Sequence, residues 1–198
     1  YSETGKFPGA ASGNCLELLT IMAYLAAATT SIKLLSSIMV VPHRGAVHTA
    51  KILATIDELS RGRLTVGVGA GWLEEEFKII GAPRFAERGK VTDEYLEAFK
   101  ELWTQDQPCF DGNFVQFSDV SFSPKPHQLP HPPIWVGGES EPALRRVVRY
   151  GDAWYPVGSN PRYPLNTRKR YEDGIKRLHR LAEIGARDPA TISLAYWA

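Results

Sequence analysis

At 198 residues, with 43% apolar and 23% charged side chains, the chain is long enough to bury a core and has the make-up of one compact globular domain. Its 23 basic and 22 acidic residues nearly cancel, which excludes a general electrostatic attraction to nucleic acid or to an anionic membrane. Cys15 and Cys109 lie far apart without CxxC or Cys/His spacing, so a disulfide framework and a zinc site are excluded and two reduced, buried, inert thiols are expected.

The longest apolar run, around "LLTIMAYLAAATT", is shorter than the roughly 18 residues that a membrane-spanning helix needs. No signal-peptide pattern stands out, and a cytoplasmic protein is the expectation. From Leu16 to Ala28 apolar residues recur at helical spacing, and "SIKLLSSIMVV" then reads as a β-branched strand ending at Pro42. "AVHTAKILATIDELSRGR" is a helix with Gly62 as its stop, and "LTVGVG" is a short buried strand. A further helix runs from Arg88 to Trp103, with Tyr95, Leu96, Phe99, Leu102 and Trp103 on one face.

"FDGNFVQF" carries a Gly-Asn turn signal and predicts a small hairpin, and "SPKPHQLPHPP" is an extended connector. Strand "IWVGG", helix "EPALRRVVRYG", strand "DAWYPVG", a helix over Thr167–Leu181 and strand "TISLAYWA" complete the chain. Five apolar strands alternating with helices predict a parallel α/β protein in one domain, either a doubly wound sheet or a (β/α)8 barrel.

Both architectures gather ligands at the carboxyl ends of their strands, which selects "SSIMVVPHR", "GVGAGW", "VGGES", "YPVGSN" and the surroundings of Tyr196. "GVGAGW" permits close backbone approach to a ligand or serves as a plain tight turn. It is no dinucleotide fingerprint, because Trp72 and Leu73 follow Gly71 where a third glycine is required. In "VGGES", Glu139 or Ser140 can cap the helix that begins near Pro142, and the amides of a helix N-terminus suit a phosphate. Glu139, itself anionic, must then turn its carboxylate away or act through its backbone N–H.

The histidines lack metal-binding spacing, and His43, just past a strand end, is kept as a contact for substrate or cofactor. A GxSxG nucleophile elbow is absent. The basic stretch "RYPLNTRKRYEDGIKRLHRL" has Ile175, Leu178 and Leu181 on an apolar stripe and reads as a solvated helix rather than an RNA-binding element.

Taken together, "LAAATTSIKLLSSIMVVPHR", "AKILATIDELSRGRLTVGVGAGWLEEEF", "ERGKVTDEYLEAFKELWTQDQPCFDGNFVQF" and "PKPHQLPHPPIWVGGESEPALRRVVRYGDAWYPVG" resemble the bacterial luciferase-like monooxygenase family of flavin and deazaflavin oxidoreductases. The resemblance implies a (β/α)8 TIM barrel holding FMN or coenzyme F-420, an 8-hydroxy-5-deazaflavin, at its strand carboxyl ends. It places strands three to seven of that barrel in this chain and the first two and the last outside it. The sequence is accordingly read as an incomplete record of a longer chain, in preference to a truncated barrel with open edges.

By the same resemblance Ser37 and Ile38 form a non-proline cis peptide beneath the ring. Gly69, Ala70, Gly71 and Trp72 run along the ring edge or side chain, and Gly137, Gly138, Glu139 and Ser140 meet the phosphate. Ala70 stands where FMN-using luciferases carry an arginine, which favours the deazaflavin. His43 and Trp72 are candidates on the substrate side, and no general acid is assigned. The implied activity is hydride transfer to or from a small organic substrate. Alternatives are an FMN-dependent monooxygenase using dioxygen and a non-catalytic flavin-binding barrel. A homodimer without nucleic-acid or membrane partners completes the expectation.

Overall fold

The computed structural model describes residues 15–197. Leu16–Pro133 forms one compact unit and Ile134–Ala198 forms the body of a second.

In the first unit, α1 (Leu18–Ala28) starts at Glu17, whose carboxylate accepts the amide and hydroxyl hydrogens of Thr20, both at 2.8 Å. This cap explains why the helix begins two residues after the predicted Leu16. Burial alone would raise the Glu17 pKa, but the amides of Thr20 and Leu19, the Thr20 hydroxyl and Arg44 outweigh it and hold the carboxyl at about 2. Helix α2 (Ala46–Ser60) packs on α1.

Arg63, only 9% exposed, ties the two helices to the sheet. Its guanidinium donates to the carbonyls of Ala26 (2.8 Å), Thr29 (2.9 Å), Ile32 (2.9 Å) and Ser60 (2.8 Å), so the carbonyls left open where α1 ends are met by a buried positive charge.

The predicted strand over 31–41 is in fact two short ones, β1 (Leu34–Leu35) and β2 (Met39–Val40), both parallel to β3 (Leu64–Gly69). Between them the Ser36 amide still donates to the Thr65 carbonyl at 3.3 Å, and the pairing is continued by its side chain. Its Oγ accepts the Gly67 amide hydrogen at 2.8 Å and donates to the Gly67 carbonyl at 3.0 Å. The approach is so close that a Cβ on Gly67 would lie 2.1 Å from the Ser36 carbonyl oxygen. Only glycine fits there.

A short helix that the sequence pattern did not predict, α3 (Glu74–Ile79), follows β3, and α4 (Arg88–Thr104) matches the predicted helix to within a residue. Trp103, Phe99, Leu102 and Leu96 on α4 are buried, as their spacing predicts. β4 (Phe110–Asp111) and β5 (Gln116–Phe117) form the expected antiparallel hairpin, and the Glu94 carboxylate accepts the amide hydrogens of Asn113, Phe114 and Val115 at its turn.

In the second unit β6 (Ile134–Gly137), β7 (Ala153–Tyr155) and β8 (Ser193–Leu194) are parallel neighbours in that order. The strand predicted over 191–198 is shorter than expected, continuing only as a bridge between Val157 and Trp197, and Ala198 lies outside the described residues. Helices α5 (Glu141–Tyr150) and α6 (Arg168–Ile184) connect these strands. On α6 the buried positions are Gly174, Leu178 and Ala182 rather than the full Ile175–Leu178–Leu181 stripe, because the helix turns its glycine toward the broad ring of Trp154.

Parallel strands joined by helices in each unit match the predicted α/β class. Neither cysteine forms a disulfide among the described residues, and both are exposed rather than buried, since Cys15 precedes the first helix and Cys109 lies on the approach to the hairpin. Among the described residues no helix is long and apolar enough to cross a membrane.

Candidate functional site

The sequence-selected residues fall into two groups, one in each unit. In the first unit the bond Ser37–Ile38 is cis, as the resemblance implies, and sits at the gap between β1 and β2. Ser37 is exposed and Ile38 half-buried. The parallel register pairs Met39 with Val68 and Val40 with Gly69, which brings the end of β3 alongside this gap. A Cβ on Gly69 would lie 3.2 Å from Ile38 Cγ2, so Ile38 and Gly69 are true neighbours. Gly69, Ala70, Gly71 and Trp72 are all half-buried at the carboxyl end of β3.

Two residues that the sequence reading did not select organise this end. Phe77 on α3 is 2% exposed and packs its ring against His43 (4.8 Å between centroids) and Phe85 (5.2 Å). Arg88 donates from Nε to the Gly71 carbonyl at 3.2 Å and lays its guanidinium over Phe85. The signal of Phe77 lay in the short apolar-acidic run after Gly71, too brief to show a helical period, whereas Arg88 reaches the loop from the start of α4.

His43 lines a hollow of about 450 Å³ with Pro42, Arg44, Ile80, Pro83 and Tyr95. Trp72 is not among the residues of that wall, so the two substrate-side candidates do not share this hollow. Nε2 of His43 is buried and has no hydrogen-bond partner among the described residues.

Burial lowers the His43 pKa below 6.5, and the charge of Arg44 lowers it further. The fold therefore favours neutral imidazole. Its contribution to stability is complete above the unfolded value of 6.5 and is lost as the pH falls through the lower folded one. His43→Gln should reduce the stability lost between about pH 7 and about pH 5. Urea midpoints at the two pH values check this, and an unchanged difference between them would contradict it.

In the second unit the turn between β6 and α5 carries the other candidates. Gly138 has φ of +104°, and a Cβ there would stand 2.9 Å from Ala143 Cβ, so the turn needs glycine both for its backbone angle and for space. Ser140 is the N-cap of α5, its Oγ accepting the Ala143 amide hydrogen at 3.4 Å, with Pro142 in the first turn. Of the two capping candidates in the sequence, Ser140 is the one used.

Glu139 is 2% exposed, and its carboxylate accepts the Val157 amide hydrogen at 2.8 Å and a hydrogen of the Asn160 side-chain amide. It thus turns inward to the loop after β7. The carbonyls of the turn are also engaged: Trp154 Nε1 donates to Gly138 O at 2.9 Å and Arg177 Nη2 to Glu139 O at 3.2 Å. What the turn presents chemically is the N-terminus of a ten-residue helix capped by serine, which favours negative charge.

Comparison with known proteins gives the family. Residues 3–196 match the family model described as luciferase-like monooxygenase. An FMNH(2)-dependent dimethylsulfone monooxygenase of Pseudomonas putida is 40% identical over 154 residues, 77% of this chain and 42% of the relative. The chain therefore spans less than half the length of that curated relative.

Among solved structures, the monooxygenase RslO1 of Streptomyces bottropensis superposes with a TM-score of 0.76 at 26% identity, covering 91% of this chain and 54% of the other. An F420-dependent secondary alcohol dehydrogenase, at 22% identity and a TM-score of 0.78 over 94% of this chain and 55% of that one, shares the fold. With nearly its whole length matched, the chain belongs to the luciferase-like monooxygenase family.

Proposed function

We propose that the chain acts as a monooxygenase that uses reduced FMN and dioxygen on a small organic substrate. The observation that carries the proposal is the β6–α5 turn, a glycine-built, serine-capped helix N-terminus at which the Glu139 carboxylate is drawn inward and the exposed Glu141 carboxylate is held by Arg145. The fit to a phosphate is chemical, since the amides of a helix N-terminus favour an anion and both nearby carboxylates are engaged, Glu139 by Val157 and Asn160 and Glu141 by Arg145.

In this reading Gly137, Gly138 and Ser140 receive the phosphate, with Glu139 contributing its backbone. Ser37, Ile38 and Gly69–Trp72 are assigned to the ring within their own unit. Reduced FMN, when bound, supplies the electrons for oxygen insertion. The protein's share is anchoring, orientation and exclusion of water. The 40% identity to an FMNH(2)-dependent enzyme supports FMN over the deazaflavin placed first by the sequence reading. The reading includes a homodimer working in the cytoplasm.

A second reading keeps the deazaflavin, and one residue favours it: Ala70 occupies the position at which the resemblance leads one to expect arginine in FMN-using luciferases. The two are separated by titrating the protein with FMN and with coenzyme F-420 while following ligand fluorescence, then measuring oxygen uptake with reduced FMN. Saturable FMN binding with a dissociation constant in the micromolar range, together with oxygen uptake, is the expected result. Binding of F-420 alone would establish the second reading, FMN binding without turnover a carrier of flavin, and saturable binding of neither would overturn both.

A further inference from the structure

Resting on the reading that a phosphate meets the β6–α5 turn, we infer that Trp154 and Glu139 are positioning residues of that site, acting through the turn's backbone rather than on the anion. The peptide between Gly138 and Glu139 is trans, since the cis bonds of the chain lie elsewhere. In a trans peptide the carbonyl and the following N–H point in opposite directions. Trp154 holds the Gly138 carbonyl from the β7 side at 2.9 Å, so the Glu139 N–H is directed away from β7. Arg177 does the same one residue on, where its bond to the Glu139 carbonyl directs the Ser140 N–H away from α6.

The indole that sets this plane is itself fixed. Trp154 is 1% exposed, stacks on Tyr171 at 5.7 Å with 18° between the rings, and lies against Gly174, where a Cβ would come within 2.8 Å of its ring. Glu139 completes the lock from its side chain. By accepting from Val157 and Asn160 it ties the turn to the loop after β7 and keeps its negative charge on the inner side of the turn. Asn160, 6% exposed, is held in turn by the Arg162 amide, whose hydrogen its Oδ1 accepts at 3.0 Å.

The test compares dissociation constants for FMN and for riboflavin, which lacks the phosphate, in Trp154→Phe, Glu139→Gln and Ser140→Asp. Trp154→Phe keeps an aromatic ring and removes the donor. Glu139→Gln keeps the shape and places an amide against the Asn160 amide. Each should weaken FMN about fivefold, the scale of one hydrogen bond lost, and leave riboflavin within about twofold.

Equal weakening of both ligands, the mark of a merely structural role, overturns the inference. So does no change in either, provided Ser140→Asp still discriminates between the two. If Ser140→Asp fails to discriminate, the phosphate reading falls and the inference falls with it. Should Trp154→Phe not fold, Arg177→Met on the exposed face of α6 takes its place with the same expected selectivity for FMN.

Discussion

Gly67→Ala is expected to destabilise the protein by at least about 3 kcal/mol, the upper range for forcing an atom into a filled space. The new Cβ would fall 2.1 Å from the Ser36 carbonyl oxygen, a backbone atom that no rotamer change can move, and 3.1 Å from Leu35 Cδ1. Relief requires β1 to separate from β3. That breaks the paired bonds between Ser36 Oγ and Gly67 and shifts the neighbouring Ser37 and Ile38. Gly45→Ala is the control, because a Cβ there meets nothing within 4 Å. Urea unfolding of the two variants should separate them by most of this amount, and a Gly67→Ala midpoint equal to that of Gly45→Ala would refute the close approach.

Ser140→Asp should leave the fold intact and abolish most FMN affinity. Aspartate caps a helix about as well as serine, so α5 keeps its start, whereas Ser140→Ala forfeits about 1 kcal/mol of capping. A carboxylate at the same place meets a phosphate as like charge on like charge. At an effective dielectric near 20 this repulsion amounts to a few kcal/mol, which corresponds to a rise in the FMN dissociation constant of about 100-fold. The two variants thus rank in opposite orders for thermal stability and for FMN binding. If both bind FMN like the parent, the serine is a cap and nothing more.

The contrast between these two sites shows what the sequence could reveal. Strands β3 and β6 and helices α2, α4 and α5 were readable because buried apolar residues repeat at the period of the element, as Tyr95, Leu96, Phe99, Leu102 and Trp103 do on α4. The stretch 31–41 was not. Its pattern is continuous, and the interruption comes from one hydroxyl substituting for two ladder hydrogen bonds, an event that periodicity cannot register.

At the β6–α5 turn the glycines and the capping serine carried local chemistry and were legible for that reason. The side chains that set the turn's orientation come from Trp154, Asn160 and Arg177, distant in sequence and bonded to it only through the fold. Arg88, which reaches the loop after β3 from the start of α4, was hidden for the same reason.

The central claim is that the amides of the β6–α5 turn bind the phosphate of a flavin coenzyme. It is tested most directly by 15N–1H spectra of the labelled protein recorded with FMN and with riboflavin. The account predicts that the amide resonances of Glu139 and Ser140 move on saturation with FMN and stay nearly in place with riboflavin. The same response to both ligands, or none to FMN while resonances elsewhere shift, would contradict it.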